Sequence, residues 1–250
     1  MKIIGWNQLP IEMQNDAVKK YYDIIEKKKT SLFFKRFFDI VVSSIMLVLL
    51  SPVFFILAIA IKVDSEGPVF YRQERITQYG KSFKIHKFRT MVQNADKGYQ
   101  VTVNNDSRIT RVGKIIRDYR LDEIAQLIDV IEGNLTLVGV RPETPKYVAE
   151  YTDEMMATLL LPAGVTSLAS IYYKDEAKLL DGVEDVDKTY IEEILPGKMY
   201  YNLKGIEHFS FTDDIRIMFM TVFAVLGKEY KDDHMDVKSI KNKINEETKV

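Results

Sequence analysis

Residues 41–61 read VVSSIMLVLLSPVFFILAIAI and carry no charged side chain. A helix rises about 1.5 Å per residue, so about 20 residues cross a hydrocarbon core about 30 Å thick. A cleaved secretion signal has its apolar core within about the first 30 residues, whereas this stretch begins later. The sequence therefore predicts a retained membrane helix, with most of the polar chemistry on its C-terminal side.

Basic side chains flank the apolar stretch on both sides. They are Lys27, Lys28, Lys29, Lys35 and Arg36 before it, and Lys62, Arg72, Arg75, Lys81, Lys84, Lys87 and Arg89 after it. Positive residues beside a membrane segment mark the cytoplasmic side, so both ends are expected on that side. We therefore expect a re-entrant hairpin. A spanning helix with a proline kink is the alternative.

The pair Ser51-Pro52 lies in the middle of the apolar stretch and is expected to break the helix. Proline lacks the N–H that would bond the carbonyl four residues back. In lipid that carbonyl needs another donor, which the hydroxyl of Ser51, Ser43 or Ser44 can supply. The sequence therefore predicts a helix-break-helix unit at this point.

The composition excludes several kinds of site. The chain has 250 residues, a net charge of −1, three histidines and no cysteine. Disulfides, thiolate nucleophiles and Cys-based metal centres are excluded, and no global charge favours nucleic acid. The histidines are too scattered for a ligand set. A metal would therefore be a hard cation such as Mg²⁺, held by carboxylates and substrate oxygens.

The rest of the chain predicts an α+β fold that is mainly helical, with a compact cytoplasmic helical domain and a few short strands. The hydrophobic and charge patterns favour helices over 11–30, 107–119, 121–131, 145–161, 185–195 and 214–226, strands over 69–73, 82–88 and 135–140, and a loop over 94–106. We divide the chain into an amphipathic region (1–33), the membrane hairpin (34–64), a catalytic domain (65–227) and a charged tail (228–250).

Fixed cations follow the membrane stretch in a pattern that suits phosphate. Basic residues recur at every third position from Arg108 to Arg120. Lys87 and Arg89 are two apart in a predicted strand and so share one face. Arg141 follows another strand, where a side chain can be aimed into a site. Beside a membrane, these cations indicate binding of headgroups or of a diphosphate.

The acidic pair Asp122-Glu123 opens a predicted helix. Acids in a first helical turn often serve only to complement the helix dipole. Neighbouring helical side chains point about 100° apart, so this pair cannot share a proton. The two carboxylates can instead divide the work, one attacking phosphorus as in aspartyl-phosphate enzymes and the other holding Mg²⁺.

Six ordered segments resemble the bacterial sugar transferases, which are small monotopic polyprenyl-phosphate phosphoglycosyl transferases. The segments are KRFFDIVVSSIMLVLLSP (35–52), GPVFYRQERI (67–76), KFRTM (87–91), DSRITRVGKIIR (106–117), LDEIAQL (121–127) and LVGVRPE (137–143). The resemblance covers about residues 34–227. No single segment would identify the family, but the order and spacing of all six segments do so specifically.

The resemblance implies an enzyme that moves a sugar 1-phosphate from a UDP-sugar to a polyprenyl phosphate such as undecaprenyl phosphate and releases UMP. It implies Asp122 as nucleophile, Glu123 as Mg²⁺ ligand, and Arg117 and Arg141 on the phosphates or the nucleotide, with Lys87 and Arg89 in support. It also places the protein monotopically on the cytoplasmic face of the bacterial inner membrane, at the first membrane step of polysaccharide synthesis. The expected partners are the UDP-sugar, the polyprenyl phosphate, membrane lipid and a second copy of the chain in a homodimer. Nucleic acid is not an expected partner.

Some positions depart from the family pattern. Val140 precedes Arg141-Pro142 where the family usually has proline, Arg120 replaces a serine or threonine, and PAGVTSLAS (162–170) is altered. These departures leave the donor sugar open. Two other functions also stay open: a membrane scaffold without turnover, against which the intact site argues, and a phosphohydrolase that uses water as acceptor.

Overall fold

The computed structural model describes residues 1–93, 95, 108–180 and 182–230. Its helices are α1 (Asp16–Lys27), α2 (Lys29–Asp64), α3 (Arg111–Asp118), α4 (Gln126–Glu132), α5 (Pro145–Val148), α6 (Leu168–Tyr172), α7 (Glu176–Leu179), α8 (Val186–Thr189), α9 (Leu195–Glu207) and α10 (Phe211–Val225). Its strands are β1 (Phe70–Ile76), β2 (Ser82–Phe88), β3 (Leu135–Val138) and β4 (Ala163–Thr166). The predicted α+β, mainly helical class is confirmed.

Helix α2 continues through Pro52 as one uninterrupted helix. The expected break at Ser51-Pro52 is therefore not a gap between two helices. Pro52 deprives the carbonyl of Val48 of its usual N–H partner, and the Ser51 hydroxyl donates to that same oxygen at 2.8 Å. This bond satisfies the freed carbonyl, as the sequence predicted. Among the described residues, α2 is the one helix long and apolar enough to cross a membrane.

One face of α2 packs on the polar body on both sides of Pro52. Before the proline, Phe38, Val42, Leu47 and Leu50 join a cluster built on Leu135 and Leu137. After it, Val53, Phe54, Leu57 and Ile61 join a cluster built on Phe88 and Ile116. The opposite face leaves large apolar side chains exposed: Phe33, Phe37, Ile45, Val48, Leu49, Phe55, Ile56 and Ile59.

Polar anchors fix α2 to the body near both of its ends. Arg36 donates to the carbonyl of Val130 at 2.7 Å, at the C-terminal turn of α4. Buried Asp39 accepts from the Thr136 hydroxyl in β3. At the other end, Asp64 accepts from the N–H of Val112 in α3 at 3.0 Å. The long apolar helix α2 is therefore an integral part of the fold.

Two small sheets carry the functional segments. Strands β1 and β2 form an antiparallel hairpin, and β2 lies against residues 121–132. Strands β3 and β4 pair in parallel. Gly139, just after β3, meets Gly164 so closely that a Cβ on Gly164 would lie 2.2 Å from the N of Gly139. This close approach fixes the segment that leads from β3 to Arg141.

Several predicted boundaries differ from the structure. Helix α3 begins at Arg111, because the Thr110 side chain accepts from the N–H of Gly113 at 2.9 Å and caps the helix there. The predicted helix over 145–161 is instead α5 followed by a 3₁₀ segment, Met155–Leu160. The expected cap at 106–107, nearly all of the loop 94–106 and residues 231–250 of the tail lie outside the described residues.

The amphipathic region packs on protein. The apolar face of α1 buries Val18, Tyr21, Tyr22 and Ile25 against Leu160 and Ile206. Its basic end supplies Lys28, which donates to the carbonyl of Phe209. Shared hydrophobic clusters thus connect the described parts of the predicted regions 1–33, 34–64 and 65–227. The division of the chain into these regions stays a prediction.

Candidate functional site

The acidic pair lies on a tight turn. Arg120 adopts a left-handed conformation with φ 51° and ψ 29°, which costs free energy in a non-glycine residue. The chain then forms a 3₁₀ helix, Leu121–Ala125, before α4 begins. Asp122 and Glu123 occupy the first turn of this 3₁₀ helix. The predicted helix over 121–131 is present, but its start is tighter and more strained than the sequence indicated.

Glu123 is fixed by Arg141. The guanidinium donates from Nη2 to Oε1 at 2.6 Å and from Nη1 to Oε2 at 3.3 Å, a two-point contact. Burial raises the pKa of Glu123, but the charges of Arg141 and Lys87 outweigh it and lower the pKa to about 2. Glu123 is therefore ionised at neutral pH and already oriented.

Asp122 is half-buried beside this pair. Neither of its oxygens accepts a hydrogen bond from a described residue. Burial raises the pKa of Asp122, with opposing effects from the charge of Lys87 and a further increase from Glu123. The environment thus distinguishes two adjacent carboxylates: Glu123 is held, and Asp122 is available.

Lys87 provides a cation without a fixed partner. It lies near the end of β2, and its ammonium makes no hydrogen bond or ion pair within the described part of the chain. Burial and the charge of Arg141 lower the pKa of Lys87, Glu123 and Asp122 oppose them, and the net pKa is about 8. An anionic phosphate in this position would favour the charged ammonium.

One cavity of about 1180 Å³ contains these groups. Its lining includes the predicted site residues Lys87, Arg117, Asp122, Glu123 and Arg141. Arg117 is oriented by a hydrogen bond from Nε to Thr90 Oγ1 at 3.0 Å. These five residues combine two carboxylates with three cations, and the lining adds further cations such as Arg111 and Lys114, which suits a dianionic diphosphate better than a neutral ligand.

Arg89 does not line this cavity. Strand β2 ends at Phe88, so Arg89 has left the strand and does not share the face of Lys87. Its guanidinium donates to the carbonyls of Glu66 at 2.8 Å and Ser65 at 2.7 Å, where it closes the loop after α2. Ser51 and Pro52 also lie apart, inside the membrane helix.

A buried network behind Arg141 was not predicted from the sequence. Glu143 accepts from the Tyr190 hydroxyl at 2.6 Å and from the Lys198 ammonium at 3.1 Å. Lys198 also reaches Glu176 at 3.1 Å, and Arg75 donates to the carbonyl of Pro142 at 3.0 Å. Glu143 follows Arg141-Pro142 in the sequence, which was the only signal. The network holds the segment that carries Arg141.

The donor set fits Mg²⁺ in part. Arg141 holds Glu123 Oε1 closely but Oε2 only at 3.3 Å, so Oε2 is the freer ligand atom. Mg²⁺ commonly takes one or two carboxylates and completes its shell with water and substrate phosphate. The one trio of close ligand atoms among described residues is His86, Asp129 and Glu132. It lies outside the cavity lining, and both Asp129 oxygens already accept from His86.

A family model described as bacterial sugar transferase matches residues 30–228 of the chain, a range that contains every one of these groups. The chain belongs to the bacterial sugar transferase family. The resemblance stated from six short segments is thereby confirmed over nearly the whole polar body. Residues 1–29, which include α1, precede the matched range.

The similar bacterial sugar transferases include enzymes named for undecaprenyl phosphate. The UDP-glucose:undecaprenyl-phosphate glucose-1-phosphate transferase of Klebsiella pneumoniae is 36% identical over 199 residues, which are 77% of this chain and 40% of that protein. A UDP-N-acetylgalactosamine-undecaprenyl-phosphate N-acetylgalactosaminephosphotransferase of Aeromonas hydrophila is 34% identical over 78% of this chain and 44% of its own length. The chain thus spans less than half of these two relatives.

A shorter relative is covered more fully. The exopolysaccharide production protein ExoY of Rhizobium meliloti is 31% identical over 207 residues, which are 76% of this chain and 84% of that protein. The relatives named above differ in their printed sugar, glucose in one and N-acetylgalactosamine in another. Similarity at this level therefore assigns the family and leaves the sugar open.

Proposed function

We propose that this protein transfers a sugar 1-phosphate from a UDP-sugar to a polyprenyl phosphate, with undecaprenyl phosphate as the acceptor, and releases UMP. The observation that carries the proposal is the pairing in one cavity of Asp122, whose carboxylate accepts from no described residue, with Glu123, which is fixed by Arg141. The names of similar proteins support the substrate class.

In the first step, an oxygen of Asp122 attacks the phosphorus that bears the sugar. A bond forms between that oxygen and phosphorus, and the bond from phosphorus to the bridging oxygen of the diphosphate breaks. UMP leaves with that oxygen and its electron pair. Lys87, Arg117 and Arg141 offset the charge on the phosphates, which is the main demand of phosphoryl transfer.

In the second step, a phosphate oxygen of the lipid attacks the same phosphorus. The bond to Asp122 breaks, the carboxylate is restored, and a polyprenyl diphosphate sugar is formed. The lipid phosphate is already an anion, so neither step requires a general base. The chain therefore needs no histidine in the cavity for this chemistry.

We further propose that Glu123 Oε2 is a ligand for Mg²⁺, with the remaining ligands supplied by water and the diphosphate. The ion would neutralise charge on the phosphates. Glu123 remains oriented for this role by Arg141. Undiminished UMP release in the presence of a strong chelator would remove Glu123 from the role.

We also infer a monotopic position at the cytoplasmic face of the inner membrane. The same polar body holds α2 before Pro52 through Arg36 and Asp39 and after it through Asp64. A helix fixed to one body near both ends supports entry and exit on one face, while its opposite apolar face meets lipid.

The central test replaces Asp122 by asparagine, which keeps the size of the side chain but removes the nucleophilic charge. With a UDP-sugar donor and Mg²⁺, we expect intact wild-type protein to gain the mass of the phosphosugar at position 122 and Asp122→Asn to lose transfer by at least about 10³-fold. Asp153→Asn, at an exposed carboxylate far along the chain, is the matched control. Turnover by Asp122→Asn at the control's rate would refute the covalent mechanism.

A further inference from the structure

The catalytic cavity has an apolar wall as well as a charged one. Its apolar lining comes from several elements, namely Met46 of α2, Ile124, Leu127 of α4, Val165 of β4, and Ala224 and Val225 of α10. A diphosphate makes no use of such a surface, whereas a hydrocarbon chain does. The wall therefore suits a hydrocarbon ligand beside the charged groups.

The wall lies between two helices that meet at their N-terminal turns. The rings of Phe38 in α2 and Phe211 in α10 have centroids 5.2 Å apart and meet edge to face. Lys35 and Asp214 form a buried ion pair between the same turns at 2.6 Å. Further along each helix, the cavity is bordered by Met46 on one side and by Thr221, Ala224 and Val225 on the other.

Both helices expose large apolar side chains next to the wall. On α2, Ile45 and Leu49 flank Met46 and are 54% and 71% exposed. On α10, Phe219 and Val222 precede the wall residues and are 63% and 56% exposed. The apolar wall is thus continuous with the surface that faces lipid, so a chain can pass from the cavity into the membrane without crossing charged groups.

Thr221 is a polar residue within this lining, and its hydroxyl is already used. Thr221 Oγ1 donates to the carbonyl of Ile217 at 2.8 Å. Because that bond uses its proton, the contact of 2.7 Å with Thr166 Oγ1 has Thr166 as donor. The hydroxyl demands no polar ligand, and the bond ties α10 to the end of β4. The wall can therefore be both apolar and rigid.

We propose that the hydrocarbon chain of the acceptor lies between α2 and α10 against Met46, Val165, Thr221, Ala224 and Val225, with its phosphate at Lys87 and Arg117. This inference rests on the proposed function and adds the residues that select the lipid. Charge complementarity assigns the phosphate to the cations, and continuity with the exposed apolar faces assigns the chain to the wall. Residues of α10 then determine lipid affinity without contacting the donor.

The test uses two valines of the same helix. Val225 lines the cavity and Val222 does not, although both are about half exposed. We expect Val225→Trp to raise KM for undecaprenyl phosphate about tenfold, which is about 1.4 kcal/mol, and Val222→Trp to leave it within twofold. Exchange of labelled UMP into the UDP-sugar without lipid reports the first step alone, and we expect it to be unchanged in both variants.

Met46→Trp and Ile45→Trp repeat the comparison from the opposite wall, with Met46 in the lining and Ile45 exposed. Equal KM values for a lining variant and its exposed partner would overturn the proposed chain path. Loss of UMP exchange in both lining variants would also overturn it, because the wall would then shape the donor site. Failure of the wild-type protein to exchange UMP would instead contradict the proposed function itself.

Discussion

The site separates two adjacent carboxylates by what each one touches. Both oxygens of Glu123 lie on the guanidinium of Arg141, and its pKa is lowered to about 2. The oxygens of Asp122 accept nothing from described residues, and burial raises its pKa. A nucleophile must be free to move onto phosphorus, whereas an orienting group must stay in place. This difference supports the proposed roles, attack for Asp122 and support for Glu123.

Lys87 gives the first prediction for pH dependence. Its lowered pKa of about 8 means that the ammonium is charged below pH 8 and loses its proton above it. We expect kcat/KM for the UDP-sugar, which reports the free enzyme, to fall as pH rises through about 8. In Lys87→Arg, the guanidinium stays charged, so the fall should move upward by more than one pH unit.

Lys84→Arg is the control for that experiment, because Lys84 is exposed on the same strand. It should leave the alkaline fall where it is in the wild-type protein. An alkaline fall at the same pH in Lys87→Arg would show that another group titrates. If Asp122 attacks as proposed, its carboxylate must be ionised, and we expect its raised pKa to move the acidic fall in activity above the usual range for aspartate.

Sequence reasoning identified Lys87, Arg117, Asp122, Glu123 and Arg141, and the structure brings these five together. It could not foresee that Glu123 and Arg141 form a two-point contact, because they are 18 residues apart and joined only by folding. The same reasoning placed Arg89 beside Lys87, but Arg89 does not line the cavity. The rule that residues two apart share a face holds only inside a strand, and β2 ends one residue earlier.

At the level of elements, helix α3 is positioned by a close backbone contact. A Cβ at Gly113 would lie 2.0 Å from the carbonyl oxygen of Thr90, so only glycine permits the approach. The same contact brings Arg117 of α3 to the Thr90 hydroxyl. The sequence predicted a helix here, but not its close contact with residue 90, because nothing local indicates which glycine meets a neighbour. One glycine thus connects helix packing to the candidate site.

Two helical glycines give a matched stability prediction. Gly113→Ala forces α3 away from Thr90 and should lower the free energy of unfolding by about 1–3 kcal/mol, with a loss of transfer activity. Gly205→Ala in α9 has no atom within 4 Å of the added Cβ, so it should raise that free energy by about 0.5–1 kcal/mol. Denaturant unfolding in detergent measures both. A shift of the same sign in both variants would contradict the packing argument.

At the scale of the whole molecule, the apolar helix α2 and the polar body form one unit. The basic residues on both flanks predicted that both ends of α2 lie on one side, and the anchors at Arg36, Asp39 and Asp64 supply a structural reason. The sequence also offered Ser51, Ser43 and Ser44 as donors for the carbonyl freed by Pro52, and the structure shows that Ser51 donates. The sequence could not show that α2 continues as one helix, because a proline removes one hydrogen bond but does not determine whether the helix continues.

The natural absence of cysteine makes the topology directly testable. Lys27→Cys and Lys62→Cys place one exposed thiol on each side of the apolar stretch. We expect a membrane-impermeant maleimide to label neither variant in intact spheroplasts and both after lysis. Labelling of either one in intact spheroplasts would show that its flank lies outside the cell and would support the spanning alternative.

The burial of one face of α2 in two hydrophobic clusters has a practical consequence for anyone preparing this protein. Deleting residues 1–64 would not yield a water-soluble catalytic fragment, because Phe83, Ile85, Phe88 and Ile116 would lose the side chains that cover them. A soluble form is better sought by replacing the outward residues, such as Val48, Leu49, Phe55 and Ile56, with polar ones while the inward face is kept. Solubility can therefore be changed on the exposed face of α2, whereas its packed face must be kept for the polar body to fold.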